Sequence, residues 1–132
     1  MFFEIFYQKH THITNIVLLK FPEKGLFITM DEAFKTISPE DAKKMMEDMA
    51  VTILDVREQM EFCSGHIPNA QNLPVGSVRR RASAELPDTD ATILVYCLSG
   101  MRSATACAIL SELGYRKVYD FGGIASWPYE ID

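Results

Sequence analysis

Short apolar runs alternate with helix-like segments along the chain from residue 35 onward. Runs rich in β-branched, aliphatic and aromatic residues predict strands over residues 51–54, 92–96 and 117–119. Helices are predicted around these runs, over residues 39–49, 75–85 and 103–113. In the first and last of these helices, apolar residues recur every three or four positions, as on one buried face. The alternation predicts an α/β three-layer fold with a largely parallel central sheet flanked by helices.

Local signals define the ends of several elements. Ser38 can cap the first helix, Pro39 suits its first position, and Asp41 suits the positive end of the helix dipole. Gly114 is a natural end for the helix over 103–113. Met30 is followed by a stretch that is typical of the start of a domain. We therefore expect residues 1–29 to be an N-terminal extension, either an added strand or a loose segment, and residues 30–132 to form one domain.

The overall charge narrows the range of partners. The chain has 132 residues and a formal net charge of -5. An acidic balance argues against nucleic acid as a partner, although it leaves room for a local basic pocket that binds a small anion. No apolar run approaches the roughly 20 residues that span a bilayer, so we do not expect a membrane partner.

The cysteines indicate the compartment. The chain contains three, Cys63, Cys97 and Cys107, and their spacing matches no zinc motif. An odd number of cysteines argues against a disulfide scaffold and favours a reducing compartment. The first thirty residues also lack the basic start and apolar stretch of a secretory signal. We therefore expect a cytoplasmic location.

Cys97 stands directly after the strand over 92–96 and is followed by the loop L-S-G-M-R-S, residues 98–103, which we call the cysteine loop. Ligands of open α/β sheets bind at this edge, where free amides and a helix dipole can hold an anion. Gly100 permits the backbone angles of a tight ring, and Arg102 adds a permanent positive charge. Because amides and cations stabilise thiolate, the pattern favours a nucleophilic Cys97 over a buried structural cysteine.

The cysteine loop is one of several motifs that occur in a characteristic order. They are L-D-V-R-E at 54–58, E-F at 61–62 leading to G-H-I-P-N-A at 65–70, N-L-P at 72–74, Y-C-L-S-G-M-R-S at 96–103, and G-G at 122–123 before Trp127. With these motifs the chain resembles a single-domain rhodanese, a sulfurtransferase, over about residues 35–129. The order and spacing of the motifs fit that family throughout.

The resemblance implies a specific chemistry for Cys97. Its thiolate would take the outer sulfur of thiosulfate or of a persulfide donor and carry it as a persulfide. Cyanide, a thiol or a sulfur-carrier protein would then accept that sulfur. Arg102 would stabilise the incoming anion or the loop itself, and no metal or organic cofactor is implied. The outer sulfur would be held by the amides of the cysteine loop: Leu98, Ser99, Gly100, Met101, Arg102 and Ser103.

Two other functions stay open. A non-catalytic rhodanese module could bind a protein partner, although the intact cysteine loop argues against this. The phosphatase and arsenate-reductase relatives have a loop that is one residue longer, because a tetrahedral oxyanion needs a wider ring of amides than one sulfur atom. Cys97 and Arg102 are separated by four residues, which favours sulfur transfer.

The interpretation of five further side chains follows from their places in the sequence. Asp55 and Arg57 lie where a strand ends, and they either support the cysteine loop from behind or form an ordinary ion pair or cap, which is the favoured alternative. His66 is expected to be structural, since a thiolate held by amides needs no base. Cys63 could resolve the persulfide, whereas Cys107 is expected in the core.

Overall fold

The computed structural model describes residues 34–132 in full and, before them, three strands. These strands are β1 (Glu4–Gln8), β2 (Ile16–Phe21) and β3 (Leu26–Met30), and they pair antiparallel in that order. The predicted extension over residues 1–29 therefore contains strands. The division of the chain at residue 30 stays a prediction.

A second sheet of five strands organises residues 34–132, and its order is β4-β8-β7-β5-β6. All of its pairings are parallel, which confirms the predicted α/β fold with a parallel central sheet. The elements in chain order are β4 (Lys35–Thr36), α1 (Pro39–Asp48), β5 (Thr52–Asp55), α2 (Gln59–Ser64), β6 (Gln71–Asn72), α3 (Val75–Glu85), β7 (Thr92–Cys97), α4 (Met101–Glu112), β8 (Lys117–Gly123) and a 3₁₀ turn (Ile124–Ser126).

The side chains of the central strand β7 alternate between two apolar layers. Ile93, Val95 and Cys97 belong to a cluster that includes residues of α3 and α4. Leu94 and Tyr96 belong to a second cluster that includes a residue of α1. Because both faces of the sheet are covered, β7 is an almost continuous apolar run, as expected for a buried parallel strand. The alternation also directs the side chain of Cys97 toward the α4 layer.

The helix start predicted at Ser38 is confirmed. The Oγ atom of Ser38 accepts a hydrogen bond of 3.0 Å from the Asp41 amide, and Pro39 occupies the first helical position. Each helix in the described part of the chain is too short or too polar to cross a lipid bilayer.

Several elements differ from the prediction, and three of the differences bear on the cysteine loop and its surroundings. Helix α2 is not predicted, because none of its residues is buried and it therefore has no apolar face with a helical period. Helix α4 begins at Met101 rather than at Ser103, so its first turn includes half of the cysteine loop. Strand β8 continues past Tyr119 to Gly123, because Gly123 pairs with Cys97 beyond a bulge.

Gly123 lies directly against the backbone of the cysteine loop. A Cβ atom at this position would collide with the carbonyl group of Leu98 and would lie 2.7 Å from the Cα atom of Ser99. Backbone atoms cannot move away as a flexible side chain can. The second glycine of the G-G pair is therefore needed here for close approach between β8 and the loop.

The substitution Gly123→Ala is expected to lower the free energy of unfolding by about 1–3 kcal/mol, the usual cost of overpacking. Gly76→Ala in α3 is the matched control, because its methyl group would meet no described atom within 4 Å. That control should be neutral or should stabilise the protein by roughly 0.5–1 kcal/mol. Urea unfolding followed by circular dichroism measures both variants, and equal stabilities would contradict the close approach.

Candidate active site

Cys97 lies at the carboxyl edge of the parallel sheet, where β7 leads into α4. Its side chain is 1% exposed, whereas Leu98 and Met101 in the adjoining loop are 45% and 81% exposed. Gly100 caps α4 with a φ of 112°, in the left-handed region that glycine readily adopts. The loop therefore curls around a buried sulfur atom and turns its larger apolar side chains to the outside.

This sulfur has two close hydrogen-bond partners. The Gly100 N–H donates to Cys97 Sγ at 3.0 Å, and Ser103 Oγ lies 3.6 Å from the same atom. Burial is the largest influence and raises the pKa of the Cys97 thiol, but the Ser103 hydroxyl and the amides of Ser103, Gly100 and Ser99 together outweigh it. The pKa of the thiol therefore lies below its ordinary value, in the direction that the sequence predicts.

The other predicted loop residues lie at the rim. The carbonyl of Leu98 accepts a hydrogen bond of 3.2 Å from the Ala125 amide, which ties the loop to the turn after β8. Met101 is the first residue of α4 and projects into solvent. Their side chains thus form an exposed apolar border beside the buried sulfur.

Arg102 is held by a partner that the sequence did not reveal. Its Nη1 and Nη2 atoms donate to the two carboxylate oxygens of Glu61 in α2, at 2.7 and 2.9 Å. Glu61 also accepts a hydrogen bond from the Glu58 amide, so the carboxylate closes the first turn of α2 as well. Arg102 therefore joins the first turn of α4 to α2. The hydrogen bond to Glu61 raises the pKa of Arg102, as does the nearby Cys97.

Asp55 and Arg57 form a buried ion pair at the end of β5. Their side chains are 0% and 6% exposed, and Arg57 Nη2 lies 2.7 Å from Asp55 Oδ2. The same nitrogen donates to the carbonyl of Gly65, and the guanidinium lies 5.7 Å from the ring centroid of Tyr96. This geometry fits the favoured alternative, an ion pair. The pair contacts Tyr96, the residue directly before Cys97. A role for the pair in supporting the cysteine loop stays a prediction.

Three other candidates occupy distinct environments. His66 stacks on Phe62 with ring centroids 3.9 Å apart, and its Nδ1 lies 3.0 Å from the Phe62 carbonyl. These contacts are those of a structural histidine. Cys107 is fully buried in the α4 layer, as predicted, and Cys63 is exposed on α2. All three cysteines of the chain are free thiols.

Asp120 is a buried carboxylate that sequence reasoning missed. It is 6% exposed on β8, and its Oδ1 accepts hydrogen bonds from Ser103 Oγ at 2.8 Å and from the Gly122 amide at 2.9 Å. A signal was available, because Asp120 lies two positions after the buried Val118 and so on the same side of the strand. The predicted strand ended at Tyr119 and did not include it.

In the part of the chain that the structure describes, no group of three or more His, Cys, Asp or Glu side chains could hold a metal ion. The same edge brings together the Cys97 thiol, the Gly100 amide and the hydrogen-bonded pair of Ser103 and Asp120.

The chain is similar to known proteins in both sequence and fold. The sequence profile of the rhodanese-like domain matches residues 38–129. Thiosulfate sulfurtransferase PspE of Escherichia coli is 38% identical over 71 residues, which cover 54% of this chain and 68% of that protein. Thiosulfate sulfurtransferase GlpE of Pseudomonas fluorescens is 37% identical over 103 residues, which cover 74% and 92% of the two chains. A crystal structure of a rhodanese-related protein from Thermoplasma volcanium is 34% identical, covers 75% of this chain and 98% of that one, and superimposes with a TM-score of 0.66. The chain therefore belongs to the rhodanese-like domain family and, by these relatives, to its sulfurtransferases.

Proposed function

We propose that this protein moves sulfane sulfur from thiosulfate or a persulfide donor to a thiophilic acceptor through a persulfide on Cys97. The observation that carries the proposal is the hydrogen bond from the Gly100 amide to Cys97 Sγ, in a loop at the carboxyl edge of a parallel sheet. Such a bond stabilises negative charge on sulfur, which is what a nucleophilic cysteine requires.

The reaction has two displacement steps. The Cys97 thiolate attacks the outer sulfur of thiosulfate, a new S–S bond forms, the old S–S bond breaks, and sulfite leaves with the electron pair of that bond. The negative charge is then on the outer sulfur of the persulfide. In the second step cyanide or a thiolate attacks this outer sulfur and releases Cys97 as thiolate. Protons and electrons balance without an added oxidant or reductant.

The cysteine loop supplies the stabilisation that both steps need. Its amides precede or begin α4, a helix of 12 residues whose positive dipole end faces the same point. One sulfur atom suits the short loop between Cys97 and Arg102, whereas a tetrahedral oxyanion requires a wider ring. We therefore prefer sulfur transfer to phosphatase or arsenate-reductase chemistry.

Sulfur transfer needs a donor and an acceptor of compatible chemistry. We expect a small sulfur-containing anion, such as thiosulfate, as donor, and a thiol, cyanide or a sulfur-carrier protein as acceptor. Three free thiols suit a reducing compartment, so we place the reaction in the cytoplasm. Cys63 is the exposed thiol that could resolve the persulfide.

Incubation with thiosulfate is expected to add about 32 Da, one sulfur atom, to the wild-type protein. A reductant should remove the added mass, because it cleaves the persulfide. Intact-mass spectrometry measures this in wild type, Cys97→Ala and Cys97→Ser. Both Cys97 variants should gain nothing, and the matched control Cys63→Ser should gain the sulfur as wild type does.

The absence of any gain in wild type with thiosulfate and with other persulfide donors would contradict the proposal. The remaining alternative, a non-catalytic module that binds a protein partner, would then be favoured. A gain that persists in Cys97→Ser and disappears in Cys63→Ser would contradict the assignment of the nucleophile.

The ion pair between Arg102 and Glu61 holds the first turn of α4 in place for this reaction. The hydrogen bond from Arg102 lowers the pKa of Glu61 from 4.5 to about 2. A carboxylate with a lowered pKa stabilises the fold fully above its ordinary pKa, and this contribution disappears as the pH falls from there through the folded-state value. The stabilisation by Glu61 is therefore present at neutral pH and declines between pH 4.5 and about 2.

Glu61→Gln is expected to lower the free energy of unfolding at pH 7 by up to about 1 kcal/mol, as for a partly exposed pair. The difference from wild type should shrink as the pH falls below 4.5, because wild type then loses the same charge. Urea unfolding at several pH values measures it. Glu47→Gln, which removes an exposed pair of 4.0 Å with Lys43, is the control and should change little throughout. A penalty for Glu61→Gln that does not vary with pH would contradict the charge-based role.

A further inference from the structure

A chain of buried hydrogen bonds runs from Cys97 through Ser103 to Asp120. Ser103 Oγ lies 3.6 Å from Cys97 Sγ and 2.8 Å from Asp120 Oδ1. The three residues are 1%, 0% and 6% exposed. They come from β7, α4 and β8, so the chain forms only where these three elements meet. A thiol and a carboxyl group, both ionisable, are thus separated by one hydroxyl in a largely buried site.

The Ser103 hydroxyl has one proton to donate, and this couples the protonation states of Cys97 and Asp120. Besides Asp120, the hydroxyl has the carbonyls of Gly100 at 3.0 Å and Gly122 at 3.4 Å as acceptors. When Asp120 is ionised, the hydroxyl donates to it and can only accept from the Cys97 thiol. When Ser103 donates to a Cys97 thiolate instead, the bond between Ser103 and Asp120 persists only if Asp120 carries a proton and donates it to the hydroxyl, while the Gly122 amide still donates to Asp120 Oδ1.

Electrostatic repulsion also favours a Cys97 thiolate together with a protonated Asp120. A thiolate and a carboxylate this close in a buried site repel one another, so one of the two retains a proton. Transfer along the chain achieves this: the S–H bond of Cys97 breaks, its proton joins Ser103 Oγ, and the original hydroxyl proton passes to Asp120 Oδ1. The products are a thiolate, a hydroxyl and a carboxylic acid, with the same number of protons and the same net charge. Burial raises the pKa of Asp120, which suits a group that stores this proton.

We propose that Asp120 is a positioning residue that receives the Cys97 proton through Ser103, so that the nucleophile forms without releasing a proton to solvent. The inference rests on the proposed function only in taking Cys97 as the nucleophile. Cys97 and Asp120 then titrate as one unit linked by Ser103, and the apparent pKa values belong to this unit rather than to single residues.

Two other ionisable side chains face this unit. Cys107 on α4 is buried, and burial, with the nearby Asp120 and Cys97, raises its pKa well above the ordinary thiol value. Arg102 interacts with Cys97, and its pKa is raised by its hydrogen bond to Glu61. Both groups keep their protons around neutral pH. The proton that moves in this range is therefore the one shared by Cys97 and Asp120.

The experiment measures the rate at which iodoacetamide alkylates Cys97 as a function of pH, with peptide masses separating Cys97 from the other two cysteines. Wild type should show two coupled steps with a plateau between them. Asp120→Asn should show one step, with its midpoint below that of the upper wild-type step. The reason is that the variant lacks the carboxylate whose negative charge repels the Cys97 thiolate. Both hydrogen bonds of Asp120 use Oδ1, which asparagine retains, so the fold should survive.

Two further variants complete the experiment. Ser103→Ala should also give one step, but shifted to higher pH than in Asp120→Asn, because the thiolate loses its hydroxyl donor while the carboxylate charge remains. Asp48→Asn, on the exposed face of α1, should reproduce the two wild-type steps. Infrared spectroscopy at the plateau pH should detect the C=O stretch of a protonated carboxyl group in wild type and not in Asp120→Asn.

Superimposable profiles for wild type and Asp120→Asn would overturn the proposal, as would a wild-type protein without the carboxylic acid band. If Asp120→Asn fails to fold, Ser103→Ala tests the proposal in its place. Two steps like those of wild type in Ser103→Ala would overturn the proposal equally. Alkylation reports the state of the thiol without any sulfur donor. A protein that forms no persulfide but shows the coupled titration would therefore refute the proposed function and leave this inference standing.

Discussion

The hydrogen bond from the Gly100 amide to Cys97 Sγ requires an amide that points inward at a buried sulfur, and few backbone geometries allow this. The strand must end at the cysteine, and the next helix must begin within four residues. Gly100 meets the requirement with a left-handed conformation, and Gly123 leaves room for the loop to lie against β8. The parallel sheet brings β7, β8 and the first turn of α4 together at one edge.

The buried polar side chains of the described residues lie near the carboxyl edge of the sheet. Among the described residues, those buried and polar or charged are Asp55, Arg57, Ser103 and Asp120. Asp55 ends β5 and Arg57 follows it, Ser103 lies in the first turn of α4, and Asp120 lies within β8 beside Ser103. Each is hydrogen-bonded, so the desolvation cost of burial is offset locally. The remaining core is apolar, and it holds these groups in fixed positions rather than taking part in the chemistry.

The sequence predicts what depends on local patterns and misses what depends on long-range side-chain pairs. The strand over 92–96, the cysteine loop and the cap at Ser38 are local, and the structure contains all three. Glu61 and Arg102 are 41 residues apart, and Ser103 and Asp120 are 17 apart, so no spacing rule connects them. Helix α2 lacks a buried face and therefore a periodic signal. Asp120 could have been recognised only by extending β8 past Tyr119.

The most direct test of the central claim is a crystal structure of the protein after treatment with thiosulfate. A single additional sulfur atom bonded to Cys97 Sγ, with the amides of the cysteine loop directed at it, is the result that persulfide chemistry predicts. An unmodified Cys97 in protein that carries one extra sulfur by mass, or density for that sulfur on Cys63, would contradict the claim that this loop exists to hold charged sulfur.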